Sequence, residues 1–270
     1  MSLFINGSLA ITLYFIALIW LGHRLITVEN PSIRVEKKLL LLCIPGLFFH
    51  AFVLYQSIFT DLGMDMGFYN ALSLISWVIT LIVIFTTFIK PTINLALIIL
   101  PISSLALILS IIMPSQHIVS ETGNLGLDIH IIFSIAAYSL LSIASLQAIV
   151  LAIQEYFLRI KHPVTTMRMF PPMQVMEDLL VQLLWIGFFL LSLALATGLM
   201  FVHDVFVQDL SHKTVLTILA WLFYGIVLFG RWSWGWRGKI LVKLTLTGFS
   251  LLALGYFGSK LVYELILQSS

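Results

Sequence analysis

The stretch Ile93-Asn-Leu-Ala-Leu-Ile-Ile-Leu-Pro-Ile-Ser-Ser-Leu-Ala-Leu-Ile-Leu-Ser-Ile-Ile-Met113 contains no charged side chain. Wound as an α-helix at 1.5 Å per residue, it is about 30 Å long, the thickness of a bilayer's hydrocarbon core. Seven other stretches meet the same demand, at 4–23, 39–59, 68–89, 129–157, 179–202, 214–231 and 241–262. The expected fold class is therefore all-α: a polytopic transmembrane helix bundle of about eight spans, forming a single integral membrane domain over residues 1–270. Composition agrees. The chain is 60% hydrophobic and 10% charged, where a soluble domain carries about 25% charged residues. One cysteine, Cys43, excludes an internal disulfide, a CxxC redox pair, a thiolate zinc site and a CxxCH haem-attachment motif.

Orientation follows from the basic residues between the spans. Arg24, Arg34, Lys37, Lys38, Lys90, Arg159, Lys161, Arg168, Arg231, Arg237, Lys239 and Lys243 fall on one side, leaving only Lys213 and Lys260 for the other. The first side is expected to be cytoplasmic, with both termini periplasmic. No Lys or Arg precedes Arg24, so the first span lacks the basic start of a cleaved signal peptide. The connections are short. The longest, about 158–178, holds Pro163, Pro171 and Pro172 and is too small for a separate domain.

Polar residues inside an apolar field cost several kcal/mol unless they have partners. The acidic residues all fall in connections or near span ends, which weighs against a cation-driven carrier. Three histidines stand out: His50, near the middle of the second span and five residues after Pro45; His130, opening the fifth; and His203, closing the sixth. Spans five and six run in opposite directions, so His130 and His203 are placed to face one another as two axial ligands of a haem iron. They could equally serve a copper or zinc ion, or be interfacial anchors bonded to Asp128 and Asp204. His50 reads as well as a histidine hydrogen-bonded across helices. The run Arg231-Trp-Ser-Trp-Gly-Trp-Arg-Gly-Lys239 has what a cytoplasmic span end needs, and it is too short and too basic to read as a nucleic-acid site. No nucleophile–base pair or phosphate loop appears, so no enzyme is expected.

The segment from His130 to Tyr138, Leu219-Ala-Trp221-Leu-Phe-Tyr224, Gly235-Trp-Arg-Gly-Lys239, Gly248 and Gly255-Tyr-Phe-Gly258 together resemble the cytochrome c assembly membrane proteins of the CcsA type. Within them the likeness is greatest to the small eight-span YpjD-like and HemX-like members of the bacterial inner membrane, over residues 40–260. The resemblance implies haem handling, with a non-covalent b-type haem as cofactor. It also implies a histidine set of His130, His203 and His50, with Tyr138 lining the pocket or bonding a propionate or a histidine. Implied partners are the lipid bilayer and other haem-handling or cytochrome-maturation membrane proteins, with no nucleic acid. The sequence departs from the larger relatives at informative places. Their Trp-rich WGxxWxWDP segment is replaced here by His203-Asp-Val-Phe-Val-Gln-Asp-Leu-Ser-His-Lys213. Their histidine on the penultimate span is Phe229, and a second periplasmic histidine after the last span is absent. Haem attachment to apocytochrome by this chain alone is therefore not expected. Two other readings stay open: a HemX-like regulatory or scaffold subunit contacting partners through 158–178 without a cofactor, and a transporter of haem or a cation.

Overall fold

The structure is a computed structural model and describes residues 2–27, 33–60, 63–87, 93–113, 118–119, 125–160, 171–201 and 208–258. Within these, the side chains of 24–27, 33–41, 93, 118–119 and 208–212 are outside the description. Eight α-helices follow one another: α1 (Ser2–Thr27), α2 (Ile33–Ile58), α3 (Phe68–Thr87), α4 (Ile93–Ile112), α5 (Leu125–Arg159), α6 (Met173–Phe201), α7 (Gln208–Trp234) and α8 (Lys239–Ala253). A π-helical turn, Leu254–Gly258, continues α8. Helices are the expected solution, because every backbone N–H and C=O is then satisfied within its own segment. Seven of them are long and apolar enough to cross a membrane. In the eighth, α2, the apolar stretch Leu42–Ile58 is 17 residues long, at the lower end of a spanning length.

The helices form two compact units. Unit 1 contains α1 to α4, each packed on its neighbours in the order α1–α2–α3–α4 and back to α1. Ala10, Val53 and Leu107 meet at its core, with Phe49 and Ile111 against them. Close approach depends on small residues: the Tyr14 ring lies where a Cβ on Gly46 would be 2.9 Å from it. At one end of this unit a small antiparallel sheet is built from β1 (Phe59–Thr60), β2 (Gly63–Asp65) and β3 (Ile118–Val119), in that order. Strands of two or three residues carry no readable alternation, so only the structure reveals them. Asp65 Oδ1 accepts the Gly67 N–H at 2.9 Å just before α3 begins.

Unit 2 repeats the same ring with α5 to α8: α5–α6–α7–α8 and back to α5. Its α5 and α6 are the longest helices among those described and pack antiparallel along their length. Gly126 lies against Phe201, Gly198 against His130, and Gly187 against Leu141. The α7–α8 turn holds Gly235 at φ 64° and Gly238 at φ 56°, backbone that glycine adopts without a Cβ penalty. Arg231 fastens this end. Its Nη1 donates to Glu177 Oε1 and to the Trp236 carbonyl, both at 3.1 Å, and its Nη2 lies 3.6 Å from Asp178 Oδ1.

Candidate functional site

The best-defined polar feature of unit 2 is His130, one and a half turns into α5. Facing it on α6 are Ala194 and Gly198, a small-x-x-x-small pair that lets the Nδ1–Cε1 edge of the imidazole approach the helix closely. A Cβ on Gly198 would come within 2.9 Å of His130 Cε1. His130 Nδ1 is 2.9 Å from the Ala194 carbonyl oxygen. A carbonyl only accepts, so Nδ1 carries the proton and donates it, and Nε2 is left with the lone pair. Among the described residues, the hydrogen-bonding group near Nε2 is the Ser134 hydroxyl, at 3.5 Å. Thr197 Oγ1 lies 3.4 Å from Nδ1 while bonding back to Leu193 and Ala194 carbonyls, which fixes the ring edge further. A histidine whose Nδ1–H is held by a main-chain carbonyl has its tautomer and ring plane set for ligation through Nε2. The chemistry of this donor therefore fits a haem iron or another metal, which Nε2 would ligate.

His50 has a different setting. It is fully buried in unit 1, with Nδ1 3.3 Å from the Tyr14 hydroxyl on α1 and Nε2 3.0 Å from Ser73 Oγ on α3. Both ring nitrogens are engaged, so one imidazole joins three helices. Ligating a metal would cost one of these bonds. The bonds continue into a polar seam that the sequence reading did not single out: Thr80 Oγ1 is 2.6 Å from Ser103 Oγ, and both hydroxyls bond the Ser76 carbonyl. The signal was available in the spacing of Asn70, Ser73, Ser76, Thr80 and Thr87, which returns to one face of α3.

Tyr138 is buried, but it turns to α8 rather than α6, packing on Phe249, Tyr256 and Phe257 at centroid distances of 5.4–5.8 Å. Eight residues at 100° each set it about 80° around the helix from His130, so the two side chains serve different neighbours. In the same unit the buried hydroxyls of Ser139, Tyr224 and Thr245 meet no hydrogen-bond partner among the described residues. Phe229 is exposed and packs against Trp232 and Trp234. His203, expected as the second axial ligand, and residues 161–170 of the 158–178 segment lie outside the described residues. Among the described residues no three His, Cys, Asp or Glu side chains gather as a metal cluster.

These features define a multi-span helical membrane protein built of two four-helix units, the second presenting one oriented histidine from a helix pair. Residues 39–267 match the family model described as cytochrome C assembly protein, and the chain belongs to that family. It is similar to the inner membrane protein YpjD of Escherichia coli K12, 34% identical over 210 residues that cover 76% of this chain and 78% of that one. The same identity holds for YpjD of the O157:H7 strain. A 28.8 kDa protein of Azospirillum brasilense is 28% identical over 156 residues, covering 57% of this chain and 58% of its own length. No solved structure matches the chain.

Proposed function

We propose that this protein is a haem-handling component of cytochrome c assembly in a bacterial inner membrane, holding haem by histidine ligation in unit 2. The family membership supports the general role, and the similarity to YpjD supports the inner membrane. The observation that carries the finer reading is His130, with Nδ1–H donated to the Ala194 carbonyl at 2.9 Å and Nε2 meeting only a long, 3.5 Å contact from the Ser134 hydroxyl of its own helix among the described residues. His203 would be the second candidate ligand. A bound haem would supply an iron centre whose affinity and potential respond to these ligands. The chain's own contribution is to fix the His130 tautomer and to seat the part-buried ring against Gly198. His50, already bonded through both nitrogens, is assigned to joining the helices of unit 1 rather than to iron.

The basic residues at the spans' ends support an orientation with those ends in the cytoplasm and both termini in the periplasm. His130 then lies at the periplasmic end. Haem titration of the purified protein, followed by visible absorption, tests the proposal. The expected result is saturable binding by wild type that weakens at least tenfold in His130→Ala and in His203→Ala. Unaltered affinity in both variants would remove the ligand assignment and favour the cofactor-free scaffold reading.

A further inference from the structure

The end of unit 2 opposite His130 carries a groove of about 340 Å³ between α5 and α8, at the small end of the range for ligand sites. Arg159, the last residue of α5, and Lys239 and Lys243, on the first two turns of α8, form its rim. Glu155 is the one acid on the rim, and its Oε1 already accepts a 3.0 Å hydrogen bond from Arg159 Nη2. Three cations against one carboxylate leave a formal surplus of two positive charges. Below the rim the wall is apolar, with Ala152 on α5 and Val242 and Leu246 on α8.

Basic residues at a span end need only the headgroup region, and a diffuse attraction would leave them dispersed. Here they converge from two helices onto one apolar groove. Lys239 and Lys243 stand one turn apart on the same helix face, an arrangement of like charges that repels unless an anion lies between them. From Lys239 to Leu246 the groove follows α8 for about 10 Å, from headgroup depth into the hydrocarbon. Its complement is therefore a molecule with an anionic head and an apolar tail that is already in the membrane. We propose that the α5–α8 groove binds an anionic phospholipid, its phosphate held among Arg159, Lys239 and Lys243 and one acyl chain lying along Val242 and Leu246. This inference stands apart from the haem proposal, since no residue is shared.

Native mass spectrometry of the full chain in detergent, titrated with phosphatidylglycerol or with phosphatidylcholine of the same acyl chains, tests it. Wild type is expected to retain one phosphatidylglycerol in preference to phosphatidylcholine. Lys239→Gln and Lys243→Gln should each weaken that binding roughly fivefold, as expected for one basic residue at an anionic headgroup, and the double variant more. Arg237→Gln, which removes a charge outside the groove at the same end, should leave it intact. Melting temperatures measured without added lipid should be equal across the set, separating lost binding from lost folding. The proposal is overturned if the double variant binds like wild type, or if Arg237→Gln weakens binding as much as the lysine changes do. Displacement of the lipid by inorganic phosphate would overturn it too, marking a soluble-anion site instead.

Discussion

A single histidine can be read from its acceptors. The Ala194 carbonyl decides which nitrogen of His130 is protonated, and Gly198 decides where the ring lies. Gly198→Ala should therefore act on His130 while leaving the histidine itself in place: the added Cβ, 2.9 Å from Cε1, displaces the ring and bends the donated bond. The expected outcome is weaker haem binding with little loss of stability; unchanged haem affinity would show that the ring's seat does not matter. His50 predicts the reverse pattern. In His50→Leu the Tyr14 and Ser73 hydroxyls lose their partner inside a dry bundle, at a cost of about 1–3 kcal/mol read by thermal or denaturant unfolding in detergent. Haem affinity should not change. The two histidines were equally visible in the sequence as polar residues in apolar spans. Which one keeps a nitrogen with no more than a long contact from its own helix was not legible, because it depends on Ala194, 64 positions away, for His130 and on Tyr14 and Ser73 for His50.

Helix pairs carry the next level of prediction. Thr245 is fully buried on α8 with an unpartnered hydroxyl, so Thr245→Val exchanges it for a methyl of nearly the same shape. Unfolding in detergent should show a gain of about 1 kcal/mol; a loss would mean that the hydroxyl has a partner in the membrane. The Arg231 clamp should behave oppositely. Its side chain is 15% exposed and that of Glu177 is 13%, so Arg231→Gln strands a largely buried carboxylate and releases the Trp236 carbonyl. A destabilisation of about 1–3 kcal/mol is expected, below that of a fully buried pair. The spans themselves were readable from apolar length, as α4 shows within one residue of its sequence boundaries. Overshoot came where polar turns remain helical: α5 runs to Arg159, and α7 starts at Gln208, before its apolar run. The clamp between α6 and α7 was not legible, because a charge near a span end is explained by snorkelling alone. The Ala194–Gly198 spacing was a usable signal for the α5–α6 contact.

At the scale of the whole molecule, topology and cofactor can be checked separately. Cys43 is buried, so single cysteines placed elsewhere report with little background. Thr122→Cys should react with a membrane-impermeant thiol reagent from the periplasmic side, and Thr165→Cys only once the inner membrane is opened. The reverse pattern would invert the proposed orientation. The central claim is that His130 Nε2 ligates haem iron, and chemical rescue tests it most directly. The visible spectrum of the reduced protein purified from cells should show sharp α and β bands. Those bands should vanish in His130→Ala and return when free imidazole is added to fill the space beside Gly198. A His130→Ala protein that keeps the wild-type spectrum would contradict the claim, as would a wild type that stays featureless even after haemin is supplied.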